Sequence, residues 1–183
     1  MQIEANLLID DLLTRTEKSI TAVQKFKQLT TGQLNFKRGR EEWSVLECIE
    51  HLNLYGDFYL PEIETRMLAK KGRRHDPIFK SGVLGNYFAN LMQVKDGKVK
   101  KMKSPKDKNP VNSALTVITI DRFLKQLEKL KSLLMQSRNV DFTKTKTAIS
   151  LTNFVRLRLG DTFRFFIYHI ERHILQAERA QVI

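Results

Sequence analysis

Four stretches of this chain repeat apolar residues at close to the 3.6-residue period of an α-helix, and nothing else in the sequence limits the fold as much. In the first, Ile3, Leu7, Leu8, Leu12, Thr16, Ile20, Val23 and Phe26 mark one face and predict a helix from about Ile3 to Leu29. Thr30-Thr31-Gly32 reads as its stop, and a polar connection from Asn35 to Glu42 follows. The second stretch opens on Ser44-Val45-Leu46-Glu47, a capping box in which serine and glutamate satisfy each other's backbone amides. Trp43 stands just before the cap, opposite Cys48, where a hydrophobic staple belongs. This helix should reach about Lys71, with Pro61 kinking it or ending its first half at Leu60. The third runs from about Val117 to Arg138 on Ile120, Phe123, Leu124, Leu127, Leu130 and Leu134, and the last from about Leu159 to Arg179.

Between the second and third helices, Gly72 to Ser113 is irregular. Gly85 to Gln93 reads as a short helix, Lys95-Asp96-Gly97-Lys98 as a turn, and Ser104-Pro105 and Asn109-Pro110 as breakers. Asn139 to Leu151 reads as a polar loop, and strand signals are weak throughout. The expectation is an all-α fold, a four-helix bundle with one long crossover between the second and third long helices, forming a single domain over residues 1–183.

No apolar run is long enough to span a bilayer. Met1-Gln2-Ile3-Glu4-Ala5-Asn6 lacks the basic-then-apolar order of a signal peptide, and the single Cys48 allows no internal disulfide, so the chain reads as cytoplasmic. The net charge of +12 raises the prospect of nucleic acid or anionic surfaces as partners. Its distribution argues against nucleic acid. Much of the excess lies at Lys95, Lys98, Lys100, Lys101, Lys103, Lys106 and Lys108, without aromatic residues between them to stack on bases. A solvated loop is the plain reading, and binding of an acidic substrate or a phosphate surface is the functional one.

Three of the four histidines form a pattern. His169 and His173 are one helical turn apart and share a face, and His51 lies on another helix. Together they make a three-nitrogen cup suited to a divalent cation with a coordination position left open. On both helices the histidines fall at the rim of the apolar stripe, which predicts a half-enclosed site at the edge of the core. Satisfied histidines flanking a core would show the same spacing. His75, in the polar Arg73-Arg74-His75-Asp76-Pro77 segment, needs no metal reading.

The stretches Leu34-Asn35-Phe36-Lys37 and Glu42-Trp43-Ser44-Val45-Leu46-Glu47-Cys48-Ile49-Glu50-His51-Leu52-Asn53 resemble the DinB-like (damage-inducible) superfamily. So does the last helix, Leu159-Gly160-Asp161-Thr162-Phe163-Arg164-Phe165 leading to His169, His173 and Gln176. The resemblance is full length. It implies a four-helix bundle with a divalent ion on His51, His169 and His173: zinc or nickel, with iron and manganese as alternatives. It also implies thiol chemistry, since such proteins include bacillithiol S-transferases and a mycothiol-dependent isomerase. The family name is not evidence for DNA binding.

A bound divalent ion acidifies its water and can deprotonate a coordinated thiol, which opens hydrolysis or S-transfer of a small-molecule substrate, with a low-molecular-weight thiol as co-substrate. Tyr55, one turn after His51, is a candidate proton donor, and Gln176 is a candidate polar neighbour of the site. Glu47 either orients His51 or caps its helix, and the capping box favours the cap. Cys48 reads as core packing, and Glu171 points away. Two other functions stay open: a metal- or ligand-binding bundle without turnover, and a basic protein acting on nucleic acid or anionic surfaces. A homodimer is expected.

Overall fold

A computed structural model describes residues 1–39, 41–69, 76–95, 97, 102–111 and 113–181. It is mostly helical, with two small sheets. The long helices are α1 (Ala5–Phe26), α3 (Val45–Leu68), α5 (Val117–Gln136) and α6 (Leu159–Ala180). Helices α1 and α3 each pack against both α5 and α6, so the four enclose one apolar core. Leu12, Val23, Leu52, Ile63, Phe123, Leu134 and Phe163 are buried there. No helix among the described residues is long and apolar enough to cross a membrane.

Helix α3 starts where the sequence places it. The Glu47 amide donates to Ser44 Oγ at 3.2 Å, and the Ser44 amide donates to Glu47 Oε2 at 2.9 Å. A second box was hidden in the Thr30-Thr31-Gly32 stop: Thr30 and Gln33 cap each other and open the short α2 (Thr31–Asn35). Pro61 does not end α3, which runs through it to Leu68. The missing amide leaves one acceptor of the preceding turn unused, and packing of this helix against both α5 and α6 outweighs that loss.

The weak strand signals misjudged two places. Gln2–Glu4 forms β1 rather than the first turn of α1, and pairs antiparallel with β2 (Ile78–Lys80), which lies between α3 and α5. The expected loop after Asn139 contains β3 (Lys146–Ile149), which pairs antiparallel with β4 (Thr152–Arg158). Alternation was present there and was passed over: Thr145, Thr147 and Ile149 are buried while Lys146 is exposed. The hairpin feeds directly into α6. Thr145 and Phe142 offer carbonyls to the first α6 amides, Leu159 at 2.8 Å and Gly160 at 3.3 Å.

Between α3 and α5, α4 (Val83–Met92) lies against α6, and the segment 104–109 makes a single 3₁₀ turn, Lys106–Lys108, against α3. Asp161 anchors this arrangement. It is fully buried, accepts from the Gly82 amide at 2.8 Å and from Ser81 Oγ, and pairs with Arg164 at 3.2 Å. Gly97 has φ of +67°, as the expected turn requires, although Asp96 and Lys98 lie outside the described residues. So do His75, Lys71, Lys100 and Lys101.

Candidate metal centre

The two helices bring the three histidines together. One ring nitrogen from each of His51, His169 and His173 lies within 4.8 Å of the other two. The Nε2 atoms of His51 and His169 are 3.2 Å apart. Two ligands around a tetrahedral zinc with bonds of 2.0–2.1 Å sit about 3.3–3.4 Å apart, so this spacing suits a shared cation. Ring centroids are 5.1 Å apart for His51 and His169, 4.4 Å for His51 and His173, and 4.6 Å for His169 and His173.

Second partners turn the lone pairs inward. His51 Nδ1 lies 2.6 Å from the Lys108 carbonyl, an acceptor, so this nitrogen carries the proton and Nε2 is bare. His173 Nδ1 lies 2.9 Å from Gln176 Oε1, which likewise leaves its Nε2 bare. His169 Nδ1 is buried with no hydrogen-bond partner. Without an ion, His169 either donates from Nε2 to the bare His51 nitrogen and leaves its buried Nδ1 an acceptor with no donor, or keeps its proton on Nδ1 and sets two lone pairs against each other. A cation held by these histidines would relieve the opposed lone pairs, and a donor set of three neutral imidazoles fits a borderline divalent metal.

The site is deeper than its place on the helical wheels suggested. His51, His169 and His173 are 2%, 4% and 8% exposed, so they are buried and not at an open rim. What the wheels could not include is the cover. Trp43 brings its ring 4.8 Å from His51 and 5.8 Å from His173. Tyr55 stands 4.9 Å from His51 and 4.4 Å from His169, and Phe165 stacks on His169 at 5.9 Å. The 104–109 turn lies over His51.

Burial sets the protonation states. It holds the His51 imidazole down to about 4, against the pull of its bond to the Lys108 carbonyl. His169 and His173 also lie well below the ordinary 6.5, chiefly through burial, with the neighbouring rings and Arg172 adding to it. All three are therefore neutral near pH 7, the form that binds metal. Burial also pushes the Tyr55 hydroxyl up, so it stays protonated.

A model of the DinB superfamily matches residues 12–177. The chain belongs to the DinB superfamily. DinB-like proteins are metal-binding, and the three-histidine cluster lies wholly inside the matched region. No curated protein and no solved structure matches the chain.

Around the three-histidine cluster the other residues singled out by sequence separate clearly. Gln176 is a neighbour of the cup through His173. Glu47 caps α3 and pairs with Lys37 at 2.6 Å, so its carboxylate is engaged away from His51. Cys48 is fully buried and its thiol is pushed up by burial, which leaves it as packing. Glu171 binds Arg15 at 3.0 Å. The Lys108 carbonyl went unnoticed, because a main-chain acceptor leaves no mark in residue identity.

Proposed function

We propose that this DinB protein is a metal-dependent enzyme in which His51, His169 and His173 hold a divalent cation, zinc or nickel, for chemistry on a small molecule. The observation that carries this reading is the 3.2 Å approach of two buried Nε2 atoms, His51 and His169, with His51 Nδ1 already committed to a carbonyl. When bound, the cation supplies Lewis acidity toward water or a thiol. S-transfer from a low-molecular-weight thiol to an electrophile is the reaction proposed, with hydrolysis as the alternative. The four long helices serve as a four-helix bundle, and the segment joining α3 to α5 is its long crossover.

Each residue then has a role. Lys108, through its carbonyl, and Gln176 fix the tautomers and tilt of His51 and His173. Trp43, Phe165 and Tyr55 exclude water and lower the local polarity. Tyr55, neutral and against His169, is the proton donor to the leaving group.

The test is direct. Protein prepared without affinity nickel should contain close to one equivalent of divalent metal by elemental analysis, and His169→Ala or His173→Ala should lose it. Thiol-plus-electrophile and ester substrates, each with and without chelator, then separate S-transfer from hydrolysis. Wild-type metal content in both variants sinks the ligand assignment. The depth of the cup favours one rival, a metal-holding bundle without turnover. Full metal with no chelator-sensitive activity on either substrate type would establish that rival.

A further inference from the structure

The lysine whose carbonyl holds His51 also has a side chain in an unusual place. Lys108 Nζ lies 6.0 Å from the centre of the Tyr55 ring, and that ring is packed on both His51 and His169. The ammonium is thus one aromatic ring away from the imidazoles. Its side chain is only 16% exposed, against 45% for Lys27 and 79% for Lys144 on the surface. Lysine keeps its charged end in water unless something holds it. Here the main chain is fixed by His51, with Ser104 Oγ donating to the same Lys108 carbonyl at 3.3 Å, and the π-face of Tyr55 attracts the cation.

The charged side chains that act on the histidines are cationic, beginning with Lys108 on His51. The three-histidine cluster contains no carboxylate, so a bound dication would keep both of its charges. Arg172, buried, adds positive potential at His169 and His173. The acidic side chain paired with Lys108 is Asp107, at 3.5 Å and mostly exposed. The contact is long and its carboxylate faces solvent, so Asp107 holds the ammonium weakly and exchanges readily for a better-placed anion.

We propose that Lys108 is a specificity-determining residue. Its ammonium pairs with a carboxylate on a small ligand whose second donor atom, a sulfur or oxygen, reaches the cation held by the histidines. Asp107 occupies the ammonium in the absence of ligand and yields it on binding. Ligands with a fixed negative charge beside their metal-binding atom are selected over neutral ones of the same size. This rests on the three histidines holding a cation, as proposed above.

The experiment uses the full chain with cobalt(II) as the visible probe. Mercaptoacetate and 2-mercaptoethanol offer the same sulfur and differ by a carboxylate against a hydroxymethyl group, and each is titrated into the cobalt protein. Lys108→Gln should weaken mercaptoacetate about tenfold, equivalent to about 1.4 kcal/mol, while 2-mercaptoethanol changes less than about twofold. Lys108→Met should repeat this result, and Lys108→Arg should keep most of the preference. Lys106→Gln, on the same turn but exposed, should leave both ligands unchanged. Equal weakening of the two thiols in Lys108→Gln and Lys108→Met, or no change in either, overturns the role of the ammonium. A cobalt spectrum that persists in His169→Ala is a different failure, because it removes the histidine site itself.

Discussion

His51 and His169 are 118 residues apart in sequence, and their Nε2 atoms are 3.2 Å apart in space. Helices α3 and α6 pack together over much of their length, and the two rings meet at that interface. The hydrogen bond from His51 to Lys108 decides which nitrogen is free. In metal-free protein at neutral pH, long-range proton–nitrogen NMR should therefore show His51 with its proton on Nδ1. Adding zinc should shift the Nε2 resonance and leave the Nδ1 proton in place. A His51 ring protonated on Nε2 would contradict the geometry.

Gln176 should matter to metal affinity without being a ligand. Its amide oxygen holds His173 Nδ1–H at 2.9 Å. Loss of such a partner weakens metal binding by about ten- to a hundredfold. Gln176→Ala should give a loss in that range in a competition titration against a chromophoric chelator, with the stoichiometry unchanged. An affinity equal to wild type would show that the contact does not orient the ring.

Acid should destabilise the metal-free protein earlier than carboxylates alone would. His51 titrates near 4 when folded and near 6.5 when unfolded, and His169 and His173 are shifted in the same direction. Between those values the unfolded chain binds protons that the folded chain refuses. Stability is therefore complete above about 6.5 and is lost as pH falls toward 4. Each such histidine adds a slope of up to about 1.4 kcal/mol per pH unit in that window. Urea midpoints at pH 7, 6 and 5 should fall steadily, and His51→Gln should flatten the trend. Midpoints independent of pH over this range would show that the rings are already protonated or are solvated.

Much of this site was legible in the sequence, and the reasons are local. The i,i+4 spacing of His169 and His173 fixes a shared face whatever surrounds it. Ser44 and Glu47 are three residues apart, and their box forms as read. Thr30 and Gln33 obey the same rule and were missed because Gly32 reads as a terminator. Strand β3 was missed because its inward positions include threonine, which scores as polar yet is buried at Thr147. The depth of the cup could not be read from any one helix, since the covering turn belongs to a segment with no periodic pattern.

Helix α4, earlier in the same connection, is held against α6 by a tight fit. A Cβ added at Gly85 on α4 would lie 2.4–2.5 Å from Asp161, which is fully buried beneath it. Gly85→Ala must either lift α4 from α6 or push Asp161 off Ser81, Gly82 and Arg164. Overpacking of this kind costs about 1–3 kcal/mol. The variant should unfold at lower urea than wild type, and hydrogen exchange should rise first in residues 81–92. Unchanged exchange there would mean that the α4–α6 contact is looser than its geometry indicates.

Holding His51 by a main-chain oxygen has an evolutionary consequence. Every amino acid supplies that oxygen, so the side chain at position 108 can be replaced without surrendering the imbalance between the two ring nitrogens. Descendants of this protein are free to change what they recognise at this position while the cation's surroundings stay constant.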